Sequence, residues 1–115
     1  MFNVAIIGAE GIDNYDFCKE KCIMCLSNKA KSGEAITIFT TGDAFVDLFS
    51  TKYHINVQNF YTNWRDYGKN AIAERNNELL KNCNALIAFN DGKKDTLILY
   101  DMAKSKGIPV RFFSI

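Results

Sequence analysis

Residues 2–8 read Phe2-Asn3-Val4-Ala5-Ile6-Ile7-Gly8, an apolar run of strand length that stops at a glycine. A parallel strand buried on both faces reads as a continuous apolar run rather than as an alternation. The same form returns along the chain. Ala35 to Phe39 runs into Thr40-Thr41-Gly42, Ile55 to Phe60 into Tyr61, Ala85 to Phe89 into Asn90-Asp91-Gly92, and Pro109 to Phe113 comes last. Between these runs the spacing predicts helices. The first covers Tyr15 to Ala30, capped by Asp13 or Asn14, with Tyr15, Cys18, Cys22 and Cys25 on one face and a break at Ser32-Gly33. The second covers Asp43 to Lys52, with Phe45, Leu48 and Phe49 facing inward. The third covers Asn70 to Lys81. The fourth covers Asp95 to Lys106 and is closed by Gly107 as C-cap. Tyr61 to Lys69 reads as a long polar and aromatic loop.

Strands that alternate with helices require crossover connections, and these are right-handed when the strands are parallel. The expected fold is therefore α/β and Rossmann-like. It is a doubly wound, five-stranded parallel sheet of order 3-2-1-4-5 with helices on both faces.

The totals narrow the function classes. A length of 115 residues suits one domain, spanning 1–115, and 48% apolar residues suffice for its core. A net charge of +1 lacks the basic excess of a duplex-binding surface, so double-stranded nucleic acid is not an expected partner. No run reaches the length of a membrane span, the start has no basic leader, and four cysteines are few for an exported disulfide scaffold. A cytoplasmic protein with reduced thiols and no membrane partner is expected.

In an open α/β sheet the ligand crevice lies beyond the carboxyl ends of the strands, where helix N-termini favour anions. This chain places glycines at those turns: Gly8-Ala9-Glu10-Gly11, Thr41-Gly42-Asp43 and Asp91-Gly92-Lys93. Their backbone amides are candidates for holding phosphate, although tight βα turns use Gly, Asn and Asp in any case. None is a P-loop, and Gly8-x-x-Gly11 lacks the full dinucleotide fingerprint. Arg75 borders the apolar face of the third helix. It requires either an acidic partner (Asp43, Asp47 or Glu10) or the phosphate of a ligand. In the loop after the third strand, Trp64 or Tyr67 is placed to stack on a base; alternatively, Trp64 covers the sheet end or contacts a second subunit. Asp47 or Asn76 is placed to contact a sugar or to fix Arg75. Cys22-x-x-Cys25 has metal-like spacing, but within a helix these read as ordinary buried thiols, and no metal or other cofactor is expected. The single histidine, His54, is not placed near the ligand edge.

The stretch Trp64-x-x-Tyr67-Gly68-Lys69-x-Ala71-x-x-x-Arg75-Asn76 is followed by Asp91-Gly92 and by Ala103-x-x-x-Gly107-Ile108-Pro109-Val110. Together these resemble the small YspA-like branch of the SLOG superfamily over nearly the whole chain. The resemblance implies a Rossmann-like sheet, a nucleotide-derived ligand and often a dimer. It also brings in relatives with distinct activities, the Lonely Guy phosphoribohydrolases and the DNA-binding DprA proteins. Arg75 matches the helix arginine of the phosphoribohydrolases. Their catalytic glutamate follows a threonine that matches Thr96, and its position here is Leu99. The expected function is binding or sensing of a nucleotide-like small molecule. The alternatives are a nucleotide N-glycosidase and a protein-interaction module whose ligand site has decayed.

Overall fold

A computed structural model describes residues 1–9 and 15–114 of the chain. Elements follow in the order β1 (Phe2–Ile7), α1 (Tyr15–Lys31), β2 (Ile36–Thr40), α2 (Ala44–Tyr53), β3 (Asn56–Asn59), α3 (Trp64–Tyr67), a 3-10 turn (Gly68–Asn70), α4 (Ala71–Lys81), β4 (Ala85–Asn90), α5 (Lys94–Ser105) and β5 (Val110–Ser114). Every strand pair is parallel, and the sheet order is β3-β2-β1-β4-β5, as the alternation of elements predicts.

Successive strand residues point to opposite faces, and this divides the core in two. Val4 and Ile6 of β1 pack with Cys18, Cys22 and Leu26 of α1 and with Phe45, Val46 and Phe49 of α2. Ala5 and Ile7 pack with Leu79 and Leu80 of α4 and with Leu99 and Ala103 of α5. The helices before the reversal therefore cover one face and those after it cover the other. The chain steps outward from β1 to β3, then returns to place β4 on the other side of β1. The reversal, where a crevice is expected, lies between the carboxyl ends of β1 and β4. Among the described residues no helix is long and apolar enough to cross a membrane.

Three expectations need correction, and one lies outside the described residues. Leu48 is not inward but 62% exposed. The buried face of α2 is Phe45, Val46, Phe49 and Ser50, and at 100° per residue Leu48 points about 130° away from its centre. The stretch Tyr61 to Lys69 is not all loop. Asn63 caps the helical turn α3: its Oδ1 accepts the Asp66 N–H at 3.1 Å and its Nδ2 donates to Asp66 Oδ2 at 2.9 Å, so each residue holds the other. A four-residue helix shows no periodicity, which is why this one is invisible to pattern. At the end of α5 the C-cap is Lys106, and Gly107 follows it with φ +73°, the left-handed residue that ends a helix. The proposed N-caps of α1, Asp13 and Asn14, lie outside the described residues.

Candidate functional site

A cavity of about 200 Å³ opens at the reversal point, lined by Ile7, Gly8, Thr41, Asp43, Arg75, Asp91, Lys93, Asp95, Thr96 and Leu99. Its floor is set by glycine. Gly8 has φ +82°, and a Cβ built there collides with the Phe89 carbonyl oxygen and crowds Thr96. Only glycine lets β1 and β4 run this close where they end. Here the glycine is required by strand packing, whatever it offers a ligand.

The turn amides are already engaged. Asp43, 4% exposed, caps α2 with Oδ1 on the Phe45 N–H at 2.8 Å, while its Oδ2 accepts the Ala9 N–H at 3.1 Å. One buried carboxylate thus ties the first βα turn to the second. The Gly42 and Asp43 N–H groups donate to Thr40 Oγ1, each at 3.3 Å. In the fourth turn Asp91 Oδ1 accepts the Lys93 N–H at 2.9 Å and Oδ2 accepts the Thr96 hydroxyl at 3.1 Å, while the Gly92 N–H donates to Asn90 Oδ1 at 3.2 Å. The protein's own side chains sit where a phosphate was expected to take these amides. Glu10 and Gly11 lie outside the described residues.

The cations are differently placed. Arg75 donates to Thr62 Oγ1 at 3.0 Å through Nη1, and to Asn76 Oδ1 through Nε at 3.3 Å and Nη2 at 3.1 Å. Asn76 is only 1% exposed and thus holds the guanidinium as a fixed strut. Among the described residues no carboxylate forms an ion pair with Arg75, so the expected partners Asp43 and Asp47 do not neutralise it. Burial pulls its pKa below the ordinary value, and the charge of Asp95 opposes that pull. Lys93 and Asp95 also line the cavity, and their side chains make no hydrogen bond or ion pair among the described residues.

A second cavity of about 260 Å³ adjoins the first across Arg75, which lines both. Its other walls include Phe60, Tyr61, Asn63, Tyr67, Ala71, Glu74 and Glu78. Tyr67 is placed here as the aromatic reading anticipated. Trp64, 58% exposed, lines neither cavity, and Asp47 is an exposed residue on α2 that lines neither. Gly92 and Ala9 flank the site without lining it.

Compared with known proteins, the chain matches no family model and no curated protein. The candidate site therefore stands on its geometry. Sequence reading missed Thr62, Tyr61, Glu74 and Glu78. Glu74 and Glu78 carry a legible signal, since with Ala71 and Arg75 they occupy positions i, i+3, i+4 and i+7, one face of α4. Thr62 carries none, because its contact with Arg75 depends on how the loop folds back.

The remaining candidates have structural roles. Cys18 and Cys22 are buried free thiols within α1, and Cys25 packs beside them. Burial raises all three, Cys18 to about 11, so they stay protonated and are poor nucleophiles. Among the described residues no group of three or more His, Cys, Asp and Glu is placed to hold a metal ion. His54 ends α2 in a left-handed conformation, φ +55°.

Proposed function

We propose that this protein binds a nucleoside monophosphate or a closely similar sugar phosphate in the cavity between β1 and β4. One observation carries the reading. Arg75 is a half-buried guanidinium held by a hydroxyl and an amide oxygen, with no carboxylate paired to it among the described residues, and it faces the crevice where the strand order reverses. A desolvated cation with N–H groups to spare is stabilised by an anion, and the planar fork suits phosphate. Lys93 supplies a second positive charge at the same wall.

The charge balance of the cavity limits the anion. Among the described residues two cations, Arg75 and Lys93, face three carboxylates, Asp43, Asp91 and Asp95. Each added phosphate charge therefore meets more repulsion than the two cations offset, so a single phosphate paired with Arg75 and Lys93 is favoured over a triphosphate, and Asp95 is left to accept sugar hydroxyls. The phosphate is held by side chains rather than by turn amides. The resemblance to the YspA-like branch, carried by Trp64 through Asn76, supports a nucleotide-derived ligand in the same place.

The test is thermal unfolding against a panel of nucleoside mono- and triphosphates, with native mass spectrometry of freshly purified protein. A monophosphate at 100 times its Kd is expected to add about 2.7 kcal/mol of stability. Triphosphates are expected to add less, and Arg75→Ala to abolish the gain. No shift with any nucleotide, in folded protein, contradicts the reading.

A hydrolytic reading is favoured by one feature. Leu99 lines the cavity where the phosphoribohydrolases carry their glutamate, and Asp95 lies one turn earlier on the same side of α5. A carboxylate there is suited to activate water at the anomeric carbon. Free base released from a nucleoside monophosphate by the wild type, and not by Asp95→Asn, supports it.

A further inference from the structure

The second cavity has a composition that the phosphate site does not explain. The floor is Ala71, 1% exposed, and its apolar walls are Phe60 and the tyrosines Tyr61 and Tyr67. Its polar wall is α4, which presents Glu74 and Glu78 one turn apart. Neither carboxylate forms a hydrogen bond or ion pair among the described residues. Asn63 already accepts from and donates to Asp66, which leaves its amide only partly available to a ligand. Asn59 and Arg75 also line the cavity, but on α4 Glu74 and Glu78 present two carboxylate acceptors one turn apart, flanked by aromatic faces.

Size links the two cavities. Neither about 200 nor about 260 Å³ alone reaches the range of roughly 300–1,000 Å³ usual for small-molecule pockets, and the two cavities share Arg75 as a wall, so a nucleotide-sized ligand would have to reach across it. A ligand with its phosphate on one side of Arg75 would carry its ring system to the other.

Resting on the nucleotide-binding reading above, we propose that the second cavity is a base pocket selective for guanine, with Glu74 and Glu78 accepting hydrogen bonds from the N1–H and the 2-amino group. Among the common bases, guanine alone presents two adjacent donors on its Watson–Crick edge. Adenine and cytosine each place an acceptor, N1 or N3, beside their amino group, and uracil has one donor between two carbonyls. An acceptor turned toward a carboxylate is repelled and left unpaired, and that loss is what makes a polar pocket selective. The tyrosines supply stacking area without choosing among bases.

The experiment is titration calorimetry with GMP, IMP and AMP, on the wild type and on the double variant Glu74→Gln/Glu78→Gln, each checked for folding by circular dichroism. GMP is expected to bind the wild type at least about tenfold more tightly than AMP, the scale of one hydrogen bond to a charged acceptor. IMP, which lacks the 2-amino group, is expected to fall between them. In the double variant the GMP preference is expected to shrink to within about threefold, through weaker GMP binding and unchanged or tighter AMP binding, since a glutamine amide can donate to the adenine N1. AMP binding as tightly as GMP, or a GMP preference that survives in the double variant, overturns the guanine assignment and leaves the nucleotide reading standing. Binding of none of the three overturns the guanine assignment, and the nucleotide reading falls with it when the full thermal-unfolding panel also shows no shift.

Discussion

Asp43 carries two structural duties with one carboxylate, and this makes it the most sensitive polar residue of the site. Its replacement by alanine removes the N-cap of α2, worth about 0.5–2 kcal/mol, and leaves the Ala9 amide without its acceptor, worth about 1–3. Asp43→Ala is expected to lose about 2–4 kcal/mol in urea unfolding. Asp43→Asn keeps the cap through one oxygen but presents N–H groups to Ala9, so it is expected to fall between alanine and wild type. A loss below about 0.5 kcal/mol for alanine would contradict the double role. The glycines divide in the same physical way. Gly8→Ala drives a methyl into the Phe89 carbonyl between two strands that cannot part, and it is expected to cost more than about 3 kcal/mol. Gly42 has φ +104° but open space around it, so Gly42→Ala is expected to cost only the backbone term, about 1–2 kcal/mol. Equal midpoints for the two variants would remove the packing argument for Gly8.

At the scale of elements, the thiols of α1 give the fold an alkaline weakness. Burial raises Cys18 from 9.0 to about 11, and raises Cys22 further, with the neighbouring thiols and Asp43 adding to the effect. In the unfolded chain these thiols ionise first, so the folded state binds more protons between the two values. Stability is therefore fully present below pH 9 and is lost as pH rises toward 11. The urea midpoint is expected to decline over that window, and Cys18→Ala is expected to flatten the decline while lowering the midpoint at pH 8. An equally steep decline in the variant would assign it to other groups. Strands and long helices were legible because their signals are local. The run Phe2–Ile7 is apolar throughout, and Cys18, Cys22 and Cys25 mark one face of α1 by spacing alone. Leu48 shows the limit of such spacing: it stands three residues from Phe45, as Phe49 stands four, yet Val46 and Ser50 set the buried face and turn Leu48 outward. Helix α3 is held by the exchange between Asn63 and Asp66 rather than by an apolar stripe, so its only sequence trace is that pair of polar residues.

In the whole molecule, the sheet order decides which residues meet. The reversal brings the ends of β1 and β4 together and lays α4 and α5 on one face, so that Arg75 from one helix stands near Asp95 from the next. The strand order and the place of the crevice were legible, since both follow from alternating elements and right-handed crossovers. That the turn amides have partners within the protein was not, because it turned on whether Asp43, Asn90 and Asp91 would aim at solvent or fold back onto the backbone. Local hydrogen bonding by Asn and Asp at turns favours the second, and on the proposed reading an anion would meet Arg75 and Lys93 instead of the turn amides. The measurement that bears most directly on this account is a titration of ¹⁵N-labelled protein with GMP, followed by two-dimensional NMR that includes the arginine side-chain region. The account predicts saturable shifts at the Arg75 Nε–H and at the amides of Gly8, Thr41, Lys93 and Thr96, with Asn3 and Asn84 at the amino ends of the central strands unmoved. An unshifted Arg75 Nε–H at saturating nucleotide, or shifts confined to those amino ends, would contradict it.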